Sequence, residues 1–361
     1  QAAVSLTGPR NASDPQRHSS ARLAMKSLLA GLLLTRSAAG PSLLYVGDWG
    51  GDGDRHPTTA AQVTAASGMS KVAKDLGVDG VLLLGDNFYN SGVKDVDSAR
   101  FNATFENVYA PQLFGDLPFH VIAGNHDHRG NVQAQIDYTA RSGHWKFPSL
   151  YYKLDWRWIA ADGRARSAEI VMIDTVELAG PSLDREGAAA LTGPEDPRSA
   201  SEQWAWIERQ LKASAADFLW VAGHYPIYSA GDDGTTPELV KRLLPLLRKY
   251  GAHYICGHDH LVQVLDMDGV YQFQNGMGME CCYDLKNLGT VPAGYIKYVI
   301  SGGHAQGKTI GADKPPRTKG GFNSMEFGDD KVTISSHKED GARIYSAEVP
   351  RRATPSRVFS V

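Results

Sequence analysis

Three observations on this 361-residue chain predict a layered α/β fold that gathers ligands on one rim. Five short apolar runs rich in Val, Leu, Ile and aromatics recur along it, the pattern of buried strands. Each run is followed at once by a glycine and then by Asp, Asn or His. A helical stretch separates the first two runs, which makes a strand–helix–strand unit. In such folds ligands bind outside the carboxyl ends of the strands, and a glycine there lets the backbone turn sharply or approach a ligand closely.

The elements follow in order. Leu43, Leu44, Tyr45 and Val46 lead into Gly47-Asp48-Trp49-Gly50. Residues 58–76 are Ala-rich with spaced apolar positions, preceded by Pro57 and ended near Gly77, a helix with its stop signal. Residues 81–84 lead into Gly85-Asp86-Asn87-Phe88-Tyr89, and residues 98–109 read as a second helix with Asp97 or Ser98 as cap. Residues 119–123 precede Gly124-Asn125-His126-Asp127. Residues 151–156 and 168–174 read as strands of an antiparallel part, and 180–200 as an exposed, protease-sensitive loop. A third helix spans 201–213, with Trp204, Ile207 and Leu211 on one face, and a fourth spans 237–250. Between them residues 218–222 lead into Gly223-His224-Tyr225-Pro226. Residues 253–256 lead into Gly257-His258-Asp259-His260. Residues 271–275, 296–301 and 331–336 add strands, and 349–361 read as a tail.

Each motif alone is ordinary turn chemistry; five in one context are not. Together they deliver carboxylates, an amide, imidazoles and a phenol to one rim, with no thiolate among them. Such N/O donors suit Zn, Mn or Fe rather than soft-metal sites. One ion rarely needs so many ligands, so the natural count is two, roughly 3.5–4 Å apart and bridged by a carboxylate. Asp86, at the end of what reads as a central strand, is the expected bridge.

Bulk composition narrows the class. At 42% hydrophobic and 21% charged the chain is globular, and a net charge of −3 carries no nucleic-acid footprint. Three cysteines define no disulfide framework: Cys256 reads as a buried thiol, and Cys281 and Cys282 are open to pairing with each other, with Cys256, or with neither. Residues 1–24 are polar and aperiodic, a disordered leader. Residues 25–39 resemble a secretory signal, with an apolar stretch from Leu28 to Leu34 and small residues before Gly40. Gln1 in place of Met points to a fragment or an extended start. Asn102-Ala103-Thr104 is a glycosylation sequon, usable on the secretory route. The expectation is a secreted or lysosomal/vacuolar glycoprotein without a membrane span, monomeric and without a nucleic-acid partner.

The motif order resembles the metallophosphoesterase superfamily, and its wording is similar to the mammalian-type purple acid phosphatases. The telling stretches are Gly47-Asp48-Trp49-Gly50-Gly51, Gly85-Asp86-Asn87-Phe88-Tyr89 with Ser91-Gly92-Val93 after it, and Ala123 through His128. Residues 101–109, 147–149, 221–226 and 256–260 match too, so the resemblance covers about 41–348. It implies a four-layer α/β/β/α sandwich with a dinuclear site at the strand carboxyl edge. By the same resemblance Asp48, Asp86, Tyr89 and His260 hold a ferric ion, and Asp86, Asn125, His224 and His258 hold a divalent Fe, Zn or Mn. His126 contacts the substrate phosphate and Asp127 orients its imidazole. The implied activity is acid phosphomonoester hydrolysis, on small esters or phosphoproteins, by a metal-bound hydroxide. A ferric ion lowers the pKa of bound water below the roughly 7 seen on zinc.

Two departures qualify this. The family's histidine after the fourth motif falls at Asp233, and an ionised Asp is a poor proton donor; a more acidic optimum or a narrower substrate range is expected. The family's loop disulfide falls near Ala179 and Glu238, and both cysteines are missing. The alternatives are a weakly catalytic adaptor or anchoring protein on the same fold, and a nucleotide or phosphodiester hydrolase. His120, His144, His253 and His304 read as structural or surface residues, His128 as packing behind the cleft, His56 as an exposed loop residue, and Trp49 and Phe88 as core.

Overall fold

The computed structural model describes residues 40–182, 191, 193–300, 309–311 and 318–352. The expected leader and signal segment, up to residue 39, lie outside these residues, as do His304 and residues 183–190 of the expected loop.

The chain lays down one sheet, builds a second, and returns to the first. It opens with β1 (Ser42–Val46), β2 (Gly80–Leu84), β3 (Phe119–Ile122) and the short β4 (Trp145–Lys146). The second sheet takes β5 (Tyr152–Ile159), β6 (Ala165–Met172), β7 (Phe218–Ala222), β8 (His253–Cys256), β9 (Val262–Met267), β10 (Val270–Asn275), β11 (Ile296–Ile300) and β12 (Thr309–Ile310). Then β13 (Gly321–Phe327), β14 (Lys331–Lys338) and β15 (Arg343–Pro350) complete the first. The orders are β15-β14-β13-β1-β2-β3-β4 and β12-β11-β9-β10-β8-β7-β6-β5. Strands β1 to β4 run parallel, as do β6, β7, β8 and β10. Parallel neighbours need crossover connections, so every motif leaves its strand on the same side of its sheet.

Alternation sorts the strands between layers. Leu43, Tyr45, Leu82 and Leu84 face Ile170, Met172, Trp220, Ile255 and Phe273 in the core between the sheets. Leu44, Val46, Val81 and Leu83 turn outward onto Met69, Phe105 and Trp145. Val171, Val221 and Tyr254 pack outward on the second sheet against Trp204, Ile207 and Leu247. The result is the expected α/β/β/α order. Helix α1 (Ala60–Leu76) covers the first sheet; Thr59 caps its start by accepting from the Gln62 N–H, and Gly77, at φ 61°, ends it in the left-handed conformation.

Several boundaries move. The expected helix over 98–109 is a wide, π-type helix over Phe101–Glu106, with the Asn107 N–H reaching back to the Asn102 carbonyl. The exposed loop expected to run to residue 200 stops earlier, because Asp196 caps α3 (Pro197–Ala213) with Pro at its first position. Helix α2 (Thr175–Ala179) precedes that loop. The fourth helix has a wide turn over Leu239–Leu243 before α4 (Leu244–Tyr250), where Pro245 removes a backbone donor. The tail expected from 349 starts later, since Val349 is buried in β15 and the Arg352 N–H donates to the Asp217 carbonyl. Cys281 and Cys282 pair with each other and Cys256 is buried and free. No helix among the described residues is long and apolar enough to cross a membrane.

Candidate metal centre

Asp48, Asp86 and His258 each sit just past a strand end with positive φ, 57°, 52° and 77°. Only Asp268, in a hairpin, shares that property among the described non-glycine residues. Left-handed backbone at such residues costs on the order of 1–3 kcal/mol and tends to cluster at functional sites. Here it turns three ligand-type side chains back toward one another. The glycines of the repeated pattern make the space: a Cβ on Gly124 would lie 2.2 Å from Asp86 Oδ1 and 2.8 Å from His224 Nε2, and one on Gly257 would lie 2.5 Å from Asp48 Oδ2.

Two sets of donor atoms result. In the first, Tyr89 Oη lies 3.0 Å from both Asp48 Oδ1 and His260 Nε2, and His260 Nε2 is 3.6 Å from Asp48 Oδ1. In the second, the ligand atoms of Asp86, His224 and His258 fall within 4.8 Å of one another, and His224 Nε2 lies 3.0 Å from Asn125 Oδ1 and 3.4 Å from Asp86 Oδ2. All seven side chains are buried. The structure thus brings together every residue the sequence proposed for metal binding.

The wiring of the imidazoles indicates what these sets are built for. His224 engages the Leu84 carbonyl through Nδ1 at 2.8 Å, and His260 engages Glu280 Oε1 through Nδ1 at 2.9 Å. With Nδ1 engaged outward, His224 turns Nε2 toward the oxygens of Asn125 and Asp86, and His260 turns Nε2 toward those of Tyr89 and Asp48. A carbonyl or carboxylate on the far ring nitrogen is the arrangement that metal-bound histidines adopt. The buried groups also act strongly on one another's charge. Burial lifts the Asp48 carboxyl to about 7 even though His224 and His260 pull it down. Burial would depress His224, but Asp86 and Asp48 outweigh it and push the imidazole up to about 10. Burial followed by the charges of Asp48 and Asp86 keeps the Tyr89 phenol protonated far above its usual range. The residues present therefore fit cations bound at both sets.

His126 and Asp127 divide differently from expectation. The His126 backbone N–H donates to Asp86 Oδ1 at 2.9 Å, and Nε2 faces Asp86 Oδ2 at 3.9 Å. Its ring is positioned by the Asn90 carbonyl, 2.8 Å from Nδ1, and packs on the Tyr89 ring with centroids 4.3 Å apart. Asp127, expected to orient that ring, instead accepts from the N–H groups of Asn87, Phe88 and Gly124 and from Gln135 Nε2. Four donors fill the acceptor sites of one carboxylate, so Asp127 ties the loop after β2 to the loop after β3. Asp233 lies on the loop over the second sheet; its N–H donates to Asp259 Oδ1 at 2.8 Å, and its charge helps raise His260 and Tyr283.

Sequence reasoning missed several supports. Arg100 donates to the Gly50 and Tyr89 carbonyls at 2.6 Å each, clamping the loops after β1 and β2; a lone Arg eleven residues past a motif carries no sequence signal. Asp259, inside the fifth motif but given no role, is buried and pins the Asp233–Gly234 turn. Tyr283 stacks on His260 at 4.3 Å. His128 pairs with the buried Asp174 at 2.7 Å, as expected of a residue behind the cleft. Trp49 and Phe88 are core, as expected.

The calcineurin-like phosphoesterase family model matches residues 41–262. The chain belongs to that family. Among its relatives, tartrate-resistant acid phosphatase type 5 of Sus scrofa is 39% identical over 88% of this chain and 90% of its own length. The Homo sapiens protein of the same name is 37% identical over 91% and 98%, and purple acid phosphatase 7 of Arabidopsis thaliana 32% over 66% and 69%. The solved structure described as GAP50, the anchor in the inner membrane complex of Plasmodium, superposes with a TM-score of 0.69 over 88% of this chain and 90% of that one, at 22% identity. A dimetal phosphatase from Danio rerio does so at 0.51 over 87% and 100%, at 12% identity. At those identities the two structures show a shared phosphoesterase fold and no more. With the sequence relatives, the family and the donor cluster support phosphoester hydrolysis at a dinuclear metal site by an acid phosphatase.

Proposed function

We propose that this chain hydrolyses phosphomonoesters in acid, at a mixed centre with one ferric and one divalent ion. Asp48, Asp86, Tyr89 and His260 would hold the ferric ion; Asp86, Asn125, His224 and His258 would hold Fe, Zn or Mn. The observation that carries this is the pair of imidazoles held from outside, His224 on Leu84 and His260 on Glu280, each leaving Nε2 turned into its donor set. When bound, such ions supply Lewis acidity that activates water and offsets phosphate charge.

The protein's own residues do the rest. Asp127 and Arg100 hold the loops still, so the donor sets need little reorganisation. His126, with Nδ1 engaged by Asn90, presents Nε2 beside Asp86 to contact the phosphate and deliver a proton to the leaving oxygen. Asp233, whose charge acts on His260, stands where the family's histidine would: as a carboxylate it shapes the field more than it donates. The exposed Asn102 of the sequon suits a glycosylated protein of the secretory route.

The test is metal analysis of the purified chain with turnover of p-nitrophenyl phosphate at pH 5. The expected outcome is about two metal ions per chain, one of them iron, with hydrolysis that chelation abolishes. Absence of both bound metal and turnover would leave the adaptor reading.

A further inference from the structure

The second sheet ends on an open edge. Strand β5 is its last member; it pairs on one side with β6 and has no partner on the other among the described residues. It runs for 8 residues without a proline or a shift of register. Prolines and bulges are among the devices that blunt an edge strand, because a straight row of unpaired backbone groups is a template for another strand. The hairpin after β5 fixes which groups form that row. The Ala160 N–H donates to the Arg164 carbonyl at 2.9 Å, one step beyond the Ile159–Ala165 pair. Bonded and non-bonded pairs alternate along an antiparallel ladder. The even-numbered residues of β5 therefore bond to β6, and Lys153, Asp155, Arg157 and Ile159 aim their N–H and carbonyl groups outward.

Side chains along the edge divide by face. Leu154, Trp156 and Trp158 pack, half-buried, against the core between the sheets. Lys153, Asp155, Arg157 and Ile159 are exposed, Ile159 at 59%. Lys153 is paired with Glu169 at 3.3 Å, whereas neither Asp155 nor Arg157 has an ion-pair partner among the described residues. Charges on an edge normally repel a second strand. These do so in most registers and not in one. With a second β5 laid antiparallel so that Trp156 meets Trp156, Asp155 falls opposite Arg157 twice, by symmetry, and Lys153 opposite Ile159. The outward backbone groups of those residues then meet in bonded pairs, and Leu154 falls opposite Trp158, so half-buried apolar side chains cover one another. A slip of one residue sets outward groups against inward ones. A slip of two sets Asp155 on Asp155 or Arg157 on Arg157, like charges that destabilise the pairing, and larger slips shorten the ladder.

We infer that β5 is a dimerisation strand, taken up by a second copy of this chain in that register about a two-fold axis between the two Trp156 residues. A two-fold contact sets the same patch against itself, so the patch must be its own complement. Strand β5 meets that condition in backbone direction, in charge and in its apolar face at once. The two 8-stranded sheets then continue into one another across the axis. The chain is a dimer, where its sequence led to the expectation of a monomer. Assembly of this kind needs neither metal nor substrate, so it stands or falls apart from the phosphatase reading.

The test is sedimentation velocity of the full chain over a concentration series, for wild type, Arg157→Asp, Asp155→Arg and the double swap. Wild type is expected to show a monomer–dimer equilibrium that shifts toward dimer as concentration rises. Each single swap sets like charges opposite one another at both symmetric positions, and should raise the dimer dissociation constant on the order of ten-fold or more. The double swap restores opposite charges and should recover most of that loss, a rescue that damage to folding would not give. A wild type that stays monomeric throughout the series would overturn the proposal, as would a dimer whose dissociation constant the single swaps leave unchanged. A double swap as weak as the single ones would overturn the register, and the proposal with it.

Discussion

The donor sets and the rim above them are built by different means. Asp48, Asp86, Asn125 and His224 are essentially inaccessible: backbone N–H groups hold Asp48 and Asp86, the Leu84 carbonyl holds His224, and His224 in turn meets Asn125. Lys94 and Arg129 on the rim are exposed and Asp233 is half-buried, all in turns outside the strands and helices. A cage packed on every side tolerates almost no change in its members. A rim anchored by a few backbone contacts can change residue by residue, which is how a fold keeps its chemistry while shifting its substrates. The departures from the related family that the sequence disclosed, at Asp233 and at the missing loop cysteines, both fall outside the cage.

Breaking the cage should produce the largest effect. Gly124→Ala places a methyl 2.2 Å from Asp86 Oδ1 and 2.5 Å from the Asp86 N–H, so the loop must shift. The expected loss is about 10²-fold or more in kcat/KM, since displacements near 1 Å carry that penalty. Elemental analysis should show fewer metal ions per chain. Near-normal metal content and activity would mean that the cage is softer than its packing implies.

Acid should strain the walls that carry the cage. His120 on β3 and His253 on β8 are both held down to about 4, chiefly by burial, and the Tyr271 N–H donates to His253 Nδ1 at 3.2 Å. The unfolded chain takes up these protons near 6.5 while the folded chain resists until about 4. Stability is therefore complete above about 6.5 and falls as pH drops toward 4. At 1.36 kcal/mol per unit the upper bound is about 3 kcal/mol for each histidine. Denaturant midpoints at pH 7, 5.5 and 4.5 should show the decline, and His253→Gln should flatten it. A midpoint that does not change with pH would contradict the assignment.

The smallest effect is expected on the rim. Asp233→Asn removes a charge that acts on His260 and Tyr283 without touching the donor geometry. A few-fold change in kcat/KM with a displaced pH–rate profile is expected. A profile that coincides with wild type would remove Asp233 from the proton chemistry and leave that work to His126.

The same contrast explains what was legible in the sequence. Each cage residue lies in a motif that follows an apolar run and a glycine, so local pattern pointed to the ligand-bearing rim, to β1, β2, β3, β7 and β8, and to the layered fold, while the choice of seven residues as metal ligands rested on the resemblance to purple acid phosphatases. The return strands β13 and β15 carried no such signal: β13 is Gly-Phe-Asn-Ser-Met-Glu-Phe, and its Asn323 and Ser324 are buried polar groups satisfied by Tyr45 and His337. That arrangement exists only once distant segments meet. Asp127 misled for a related reason. Its neighbour in sequence is His126, but its partners Asn87, Phe88 and Gln135 arrive from other elements. Arg100, Asp259 and Glu280 act through tertiary contacts, and no local spacing marks them.

The central claim is that the Tyr89 phenol, which the protein alone keeps protonated, is a ligand to a ferric ion. The direct test is the visible spectrum of iron-loaded wild type beside Tyr89→Phe, with metal content measured on both. The account predicts a charge-transfer band in wild type that vanishes in Tyr89→Phe while iron is still bound. A colourless wild type with iron in place, or a band that survives in Tyr89→Phe, would contradict it.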